Sequence, residues 1–217
     1  MDKFRVIRPE LLDDADPAEA RPSLQDLTRI NKYLGGHRVL RQLMTAVVST
    51  WHEPFSVLDV GAASGDMARE ICSAYPNAKV TAFDYRLEHL APAAQPKVVG
   101  DAFRLPFRLG SFDIVFCSLF LHHFADSQVV ELLSAFRVLA RRAVCVIDLD
   151  RGPFSYHFLP ATRWLFGWHP ITLHDGPASV AAGFKRQELE ALAKAAGLQE
   201  PRVAVHRPWG RLSLIGR

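Results

Sequence analysis

The sequence predicts an α/β fold: a doubly wound, mostly parallel sheet of seven strands that ends in an antiparallel C-terminal hairpin. Runs such as FDIVFCSLFL and RAVCVIDLD are apolar without alternation, which is typical of strands buried on both faces. Segments with helical periodicity, such as GDMAREICSAY, separate these runs. The closing pair RVAVHR and RLSLIG has turn residues between its two members and predicts the hairpin.

Composition favours one globular domain over residues 1–217. Hydrophobic residues make up 49% of the chain and charged residues 23%, so a sizeable core can form. The net charge of +3 is scattered rather than gathered into a basic run, so we expect no nucleic-acid partner. No segment reaches the roughly 20 apolar residues that a membrane span needs, and no signal-peptide core is present. Three widely spaced cysteines without metal-type spacing fit a cytoplasmic location.

The residue pattern of the N-terminal part, residues 1–53, predicts a helical cap. Residues 1–22 are rich in Asp, Pro and Ala, and we expect an extended, partly mobile lead-in there. A helix should begin at Ser23, because apolar residues then recur at helical spacing: Leu24, Leu27, Ile30 and Leu34. The glycine pair at 35–36 breaks this helix, and a second one is expected over about 37–50.

The rest of the chain divides into three predicted parts. Residues 54–150 hold the first five strands and the helices between them, and form the ligand-binding core. Residues 151–184 are rich in aromatic residues, and we expect an irregular lid there. Residues 185–217 contain the helix KRQELEALAKAAG and the hairpin.

The stretch VLDVGAASGD, residues 57–66, argues against a dinucleotide site. That fingerprint requires G-x-G-x-x-G, but from Gly61 the sequence gives G-A-A-S-G-D, so its second and third glycines are missing. Asp66 would open the following helix, and a carboxylate there competes with a phosphate for the positive helix end. The ligand at this turn should therefore carry no phosphate.

Three aspartates follow three successive predicted strands. Asp59 lies at the end of the first strand, where it would be near the amino-acid part of a bound nucleoside derivative. Asp84 is placed to accept hydrogen bonds from both hydroxyl groups of a ribose. Asp101 can accept a hydrogen bond from an adenine amino group. Parallel strands end at one edge of a sheet, so these acids suit one nucleoside with a cationic tail. S-adenosylmethionine has that composition.

The motifs VLDVGAASGD, TAFDY and GDAFRLPFRLGSFDIVFCSLFLHHF closely resemble those of class I S-adenosylmethionine-dependent methyltransferases, which have a Rossmann-like sheet. The resemblance covers about residues 30–217 and is most specific up to residue 124. It implies S-adenosylmethionine as cofactor. The cofactor-binding positions that it implies are Asp59, Gly61, Ala62, Ala63, Gly65, Asp84, Tyr85, Asp101, Ala102, Phe103 and Ser118. Ala63 departs from the family pattern, which usually has glycine there, and this slightly reduces the affinity we expect.

The segment INKYLGGHRVLRQL resembles the region that precedes the core in quinone-biosynthesis methyltransferases and their small-molecule relatives. In such enzymes these helices cover the cofactor and line the acceptor pocket. The likeness implies that Tyr33 and Arg38 approach the cofactor carboxylate. Packing or solvent exposure would explain both residues equally well.

Catalytic candidates are the titratable groups expected near the ends of the fourth and fifth strands or on the lid: His122, His123, Asp148 and His157. A base is needed only if the acceptor must lose a proton, as a phenol or an enol would. The histidine pair also occurs in the superfamily whatever the acceptor, and Asp148 could serve only as a cap. We expect no metal. The aromatic residues of the lid suit an apolar acceptor, but could instead only seal the sheet.

The sequence favours a small acceptor, aromatic or polyketide- or quinone-like, methylated at oxygen or carbon. The Asn/Asp-Pro-Pro-Tyr/Phe signature of nucleic-acid methyltransferases is absent, since that position reads CSLF. Protein-arginine methylation would need paired glutamates, and only Glu131 is near. An RNA or protein acceptor and a non-catalytic partner subunit remain as alternatives. A monomer or a homodimer is expected, acting in secondary metabolism.

Overall fold

The computed structural model describes residues 4–94 and 96–217, and its sheet matches the predicted α/β fold. Seven strands lie in the order β3-β2-β1-β4-β5-β7-β6. Their bounds are β1 (Phe55–Val60), β2 (Ala78–Asp84), β3 (Lys97–Val99), β4 (Phe112–Ser118), β5 (Ala140–Leu149), β6 (Arg202–His206) and β7 (Arg211–Gly216). The first five strands are parallel, and β7 pairs antiparallel with both β5 and β6. The winding reverses between β1 and β4, and ligands of such sheets bind at the strand ends beside this point.

Helices cover the faces and the carboxyl edge of the sheet. They are α1 (Leu11–Asp14), α2 (Pro17–Tyr33), α3 (Gly36–Val48), α4 (Asp66–Ala74), α5 (Leu87–Leu90), α6 (Asp126–Leu139), α7 (Pro153–Phe166), α8 (Pro170–Ala182) and α9 (Arg186–Ala195). The largest apolar core joins the sheet to α6 and α9, and a second large one joins it to α3 and α4. In the described part of the chain no helix is long and apolar enough to span a membrane.

Two expectations about irregular segments are wrong. Helices α1 and α2 already occupy much of residues 1–22, and Ser23 lies inside α2 rather than at its start. The segment 151–184 also contains two helices, α7 and α8, instead of an irregular lid. The physical reason is shared: α2, α7 and α8 each have a proline in their first turn, where the missing N–H costs no hydrogen bond.

Candidate active site

The loop after β1 turns sharply because three of its residues have left-handed backbones. Gly61 (φ +70°), Ala63 (φ +44°) and Gly65 (φ +69°) alternate along it. The N–H groups of Gly61 and Ala62 both donate to the carbonyl of Phe83 on β2, which fixes the turn against the sheet. An alanine at φ +44° is strained by about 1 kcal/mol, which a glycine would avoid. The departure at Ala63 therefore costs backbone energy while leaving the turn intact.

Gly61 tests whether this turn requires glycine. A Cβ there would lie 2.5 Å from the ring of Phe120, whereas at Gly110, with a similar φ of +61°, the nearest heavy atom would be 3.5 Å away. Both alanine variants strain the backbone, but only Gly61→Ala also overpacks the site. We expect urea denaturation to give Gly61→Ala a free energy of unfolding about 2 kcal/mol below that of Gly110→Ala. Equal values would show that Phe120 moves aside freely.

Two of the predicted aspartates accept backbone hydrogen bonds at the edge of a large cavity. Asp84 Oδ2 accepts from Ala63 N–H at 2.8 Å and Asp84 Oδ1 from Arg86 N–H at 3.0 Å. Asp101 Oδ1 accepts from Phe103 N–H at 2.9 Å and so caps a short 3₁₀ turn. Both carboxylates keep further lone pairs for a ligand.

Asp59 lies beneath this edge rather than at it. It is 1% exposed, and its Oδ2 has no hydrogen-bond partner among the described residues. Burial, with the nearby charges of Asp84 and Asp66, raises the pKa of Asp59 to about 8. The hydroxyl of Ser118, at the end of β4, is likewise buried without a described partner. The site therefore holds unsatisfied polar atoms directly under the loop.

Asp66, the other acid of the β1 loop, faces the N-terminal helices. Its Oδ2 accepts from Asn31 Nδ2 and lies 3.1 Å from His37 Nε2. It therefore holds the corner between α2 and α3 onto the first turn of α4. Tyr33 and Arg38 lie on this outer side, where both are exposed and line a separate surface pocket.

A cavity of about 890 Å³ opens at the carboxyl edge of the sheet. Its polar end carries predicted cofactor residues: Gly61, Ala63, Asp84, Tyr85, Asp101, Ala102 and Phe103. Its other walls are largely apolar and come from α2, α7 and the loops beyond β4 and β6; they include Leu24, Leu27, Ile30, Leu34, Phe120, Phe124, Phe154, Phe158, Leu159 and Trp209. One cavity thus combines a polar nucleoside-sized end with an aromatic end.

Backbone strain concentrates at this cavity. Among the described residues, three that are not glycine have a positive φ, and two of them, Ala63 and Leu119, line the cavity. Strained backbone of this kind persists where the surrounding structure fixes it, and it clusters at functional sites.

His122 lines the cavity and forms a buried pair with Asp148 behind it. His122 Nδ1 lies 2.7 Å from Asp148 Oδ1, and the same carboxylate accepts from the N–H groups of Leu121 and Leu149. Burial alone would lower the pKa of His122, but the carboxylates of Asp148 and Glu10 raise it to about 9. The imidazole is therefore protonated at neutral pH.

Glu10 joins the two histidines at the cavity. Its Oε1 lies 3.6 Å from His122 Nε2 and 4.0 Å from His123 Nδ1, and it accepts a hydrogen bond from the Ser179 hydroxyl. Burial opposes ionisation of Glu10, but the charged His122 imidazole beside it keeps its pKa below the usual range. Burial and the charge on His122 lower the pKa of His123. The cluster thus presents a carboxylate, an imidazolium and a neutral imidazole.

The same three residues bring metal-type donor atoms within 4.8 Å of one another. The rings of His122 and His123, however, stack with centroids 4.3 Å apart and planes 29° apart. Imidazole lone pairs lie in the ring plane, so those of two stacked rings do not converge on one ion. The arrangement fits a shared proton better than a metal, and the expected lack of a metal stays a prediction.

The remaining catalytic candidate, His157, lies outside the cavity. It is exposed on α7, whose cavity face carries Phe154, Ser155, Phe158 and Leu159 one helical turn apart. Sequence reasoning also missed Glu10 and Arg211, which line the cavity from the N-terminal segment and from β7. Helical phase could have excluded His157, but no motif pointed to Glu10.

Comparison with known proteins agrees with this geometry. A family described as "Methyltransferase domain" matches residues 57–142, which contain the β1 loop and the three aspartates. Demethylmenaquinone methyltransferase of Porphyromonas gingivalis is 29% identical over 190 residues, 76% of each chain. Acetylserotonin O-methyltransferase of Rattus norvegicus is 29% identical over 152 residues, 61% of this chain and 35% of that one. Human N-acetylserotonin methyltransferase, solved in complex with S-adenosylmethionine, superposes with a TM-score of 0.64 at 21% identity, covering 89% of this chain and 54% of that one.

This chain is an S-adenosylmethionine-dependent methyltransferase. It spans about three quarters of the Porphyromonas relative but only about a third of the rat one.

The methyltransferase offers a site that fits S-adenosylmethionine. Gly61 and Ala63 leave backbone open to the cavity, and Asp84 and Asp101 face it at the ends of neighbouring strands. Asp59 Oδ2 is a buried carboxylate oxygen without a described partner, which suits a cation near the loop. A phosphate group in this site would be repelled by these carboxylates, whereas phosphate sites offer free N–H groups.

The raised pKa of Asp59 predicts that cofactor binding releases protons. A carboxyl with a pKa of about 8 is mostly protonated at pH 7, and a nearby sulfonium and ammonium favour its ionised form. Calorimetry of S-adenosylmethionine binding at pH 7, in buffers of different ionisation enthalpy, should report release of part of one proton. The Asp59→Asn variant should release less. Equal release from both proteins would contradict the assignment.

Proposed function

We propose that this methyltransferase methylates a small apolar acceptor, aromatic or polyketide- or quinone-like, at oxygen or carbon. The observation that carries the proposal is the single cavity with a polar cofactor end and an aromatic end. Its volume of about 890 Å³ lies near the top of the range of about 300–1,000 Å³ for small-molecule sites. That volume leaves room for an acceptor, which counts against a purely cofactor-binding subunit.

At the cofactor end, Asp84 would accept from the ribose hydroxyls and Asp101 from the adenine amino group. Ala102 and Phe103 would flank the ring, and Tyr85, which is exposed at the rim, would cover the ribose. Gly61 to Gly65 would let the backbone approach the amino-acid part, above Asp59 and Ser118. Tyr33 and Arg38 have no role in this proposal, because they line the outer pocket.

S-adenosylmethionine supplies a methyl carbon on a sulfonium, a leaving group that needs no acid. The chain's own task is to align the acceptor and to take its proton. His123, with its lowered pKa, is the neutral imidazole positioned to accept that proton. The imidazolium of His122 would stabilise the developing oxyanion, and Asp148 holds its ring in place. Glu10 would orient both rings.

Labelled methyl donor and a panel of phenols, hydroxyquinones and β-keto compounds test the proposal. We expect acceptor-dependent formation of S-adenosylhomocysteine and a methylated product. His123→Gln should lower kcat by about 10²–10⁴-fold without changing the KM for S-adenosylmethionine. The exposed His157→Gln is the matched control and should retain full activity. Label that enters only RNA or protein fractions would overturn the small-acceptor proposal.

A further inference from the structure

Arg211 is a buried cation at the cavity for which the described residues provide no hydrogen-bond or ion-pair partner. Its side chain lines the cavity, and the residue is 4% exposed. It is the first residue of β7 and pairs in the sheet with Leu149 at the end of β5. Its Nε has no hydrogen-bond acceptor among the described residues, and none of their carboxylates lies within the 4.0 Å of an ion pair. Asp148 is near enough to favour its charge, but the oxygens of that carboxylate are occupied by His122 and by backbone N–H groups.

Arg151, the other deeply buried arginine among the described residues, shows how this protein pairs a buried guanidinium. Arg151 is 1% exposed, and its guanidinium donates to Glu188 at 2.7 and 3.0 Å and to the Gly183 carbonyl at 2.8 Å. Native proteins pair buried charges, because an uncompensated one is strongly destabilising. Burial lowers the pKa of Arg211 to about 10, so the group still carries its charge at neutral pH.

The position of Arg211 points to the acceptor and away from the nucleoside. Strand β7 lies three steps from β1 in the order β1-β4-β5-β7, about 14 Å at the usual strand spacing. The turn after β4, which carries His122, and the end of β5, which carries Asp148, lie between the two. The hydroxyl of Ser155 packs over Gly210, where a methyl group would overlap it, and lines the same cavity. A hydroxyl donor therefore lies on the wall of the same cavity, next to the residue that precedes Arg211.

We infer that Arg211, with Ser155, binds a carboxylate of the acceptor, so that the substrates of this enzyme are small aromatic or polyketide-like acids. The inference rests on the proposed function, because it assigns the apolar end of the cavity to the acceptor. A carboxylate would provide the missing acceptor oxygens and could receive two parallel N–H bonds from the guanidinium. The aromatic walls would hold the rest of the molecule.

Calorimetry on the complex with S-adenosylhomocysteine tests the inference with two acid and amide pairs, salicylate with salicylamide and hydrocinnamate with hydrocinnamide. We expect wild-type protein to bind at least one acid tenfold more tightly than its amide, a difference of about 1.4 kcal/mol. Arg211→Met should lose this preference, bind S-adenosylhomocysteine as before and melt at an equal or higher temperature, because an unpaired buried charge has been removed. Arg202→Met, an exposed arginine of β6, is the matched control and should behave as wild type.

Three results would overturn the inference. These are a wild-type complex without preference for either acid, a preference that survives Arg211→Met, and a tenfold loss of S-adenosylhomocysteine affinity in Arg211→Met. The last result would pair Arg211 with the cofactor carboxylate. A lower melting temperature with the acid preference intact would indicate a structural role. Wild-type protein that fails to bind S-adenosylhomocysteine at all contradicts the proposed function itself, so the two failures are distinguishable.

Discussion

Asp84→Ala is expected to weaken binding of S-adenosylhomocysteine by at least 100-fold. The carboxylate lines the cavity, and in the proposed site it accepts from two ribose hydroxyls; a hydrogen bond to a charged group contributes about 1.5–3 kcal/mol. The same carboxylate accepts from Ala63 N–H at 2.8 Å, so its loss also releases the strained β1 loop. Both effects act on affinity in the same direction.

Two controls separate these effects in a calorimetric titration. Asp84→Asn keeps one acceptor oxygen for the Ala63 N–H and should lose less affinity than the alanine variant. Glu88→Ala removes an exposed acid from the neighbouring helix α5 and should bind as wild type. An Asp84→Ala protein that is folded by circular dichroism and binds within threefold of wild type would refute the ribose assignment.

The sheet and the placement of Asp84 and Asp101 at its edge were predictable because their signals are local. Unalternated apolar runs mark strands buried on both faces, and parallel strands place Asp84 and Asp101 at one edge without knowledge of any tertiary contact. The left-handed turn at Gly61 and Gly65 was likewise predictable, because glycine is the residue that adopts a positive φ without strain. Each of these features depends on residues that are close in sequence.

The rest of the cavity was less predictable because long-range contacts build it. Glu10 meets His122 across more than a hundred residues, and nothing in the acidic N-terminal segment indicates that partner. Arg211 lies in a strand of ordinary composition, and only its burial, with Nε unpaired among the described residues, distinguishes it. Pro17, Pro153 and Pro170 would be taken from composition alone as helix breakers. Each of them lies instead in the first turn of a helix.

Asp148→Ala is expected to lower the free energy of unfolding by about 3–5 kcal/mol, the usual cost of breaking a buried ion pair. The carboxylate is fully buried, and its loss leaves the His122 imidazolium and the N–H groups of Leu121 and Leu149 without their acceptor. The melting temperature should fall by about 10 °C for a chain of this size. Asp150→Ala, two residues further on, removes only a longer contact to Lys185 at 3.9 Å and should cost less than about 1 kcal/mol.

The pH dependence of stability should identify the pair as the cause. The pKa of His122 is raised from 6.5 to about 9 in the folded state, so the stabilisation is fully present below pH 6.5 and is lost as the pH rises through 9. Over that window wild-type protein should lose about 3 kcal/mol, at about 1.4 kcal/mol for each unit of pKa shift. Asp59 contributes a loss of the same sign up to about pH 8, so the informative quantity is the difference between wild type and Asp148→Asn. That variant removes the charge that raises the His122 pKa, and its stability should fall less steeply between pH 6.5 and 9. Parallel pH profiles for the two proteins would mean that His122 is neutral in the folded enzyme, and the imidazolium role proposed for it would then fail.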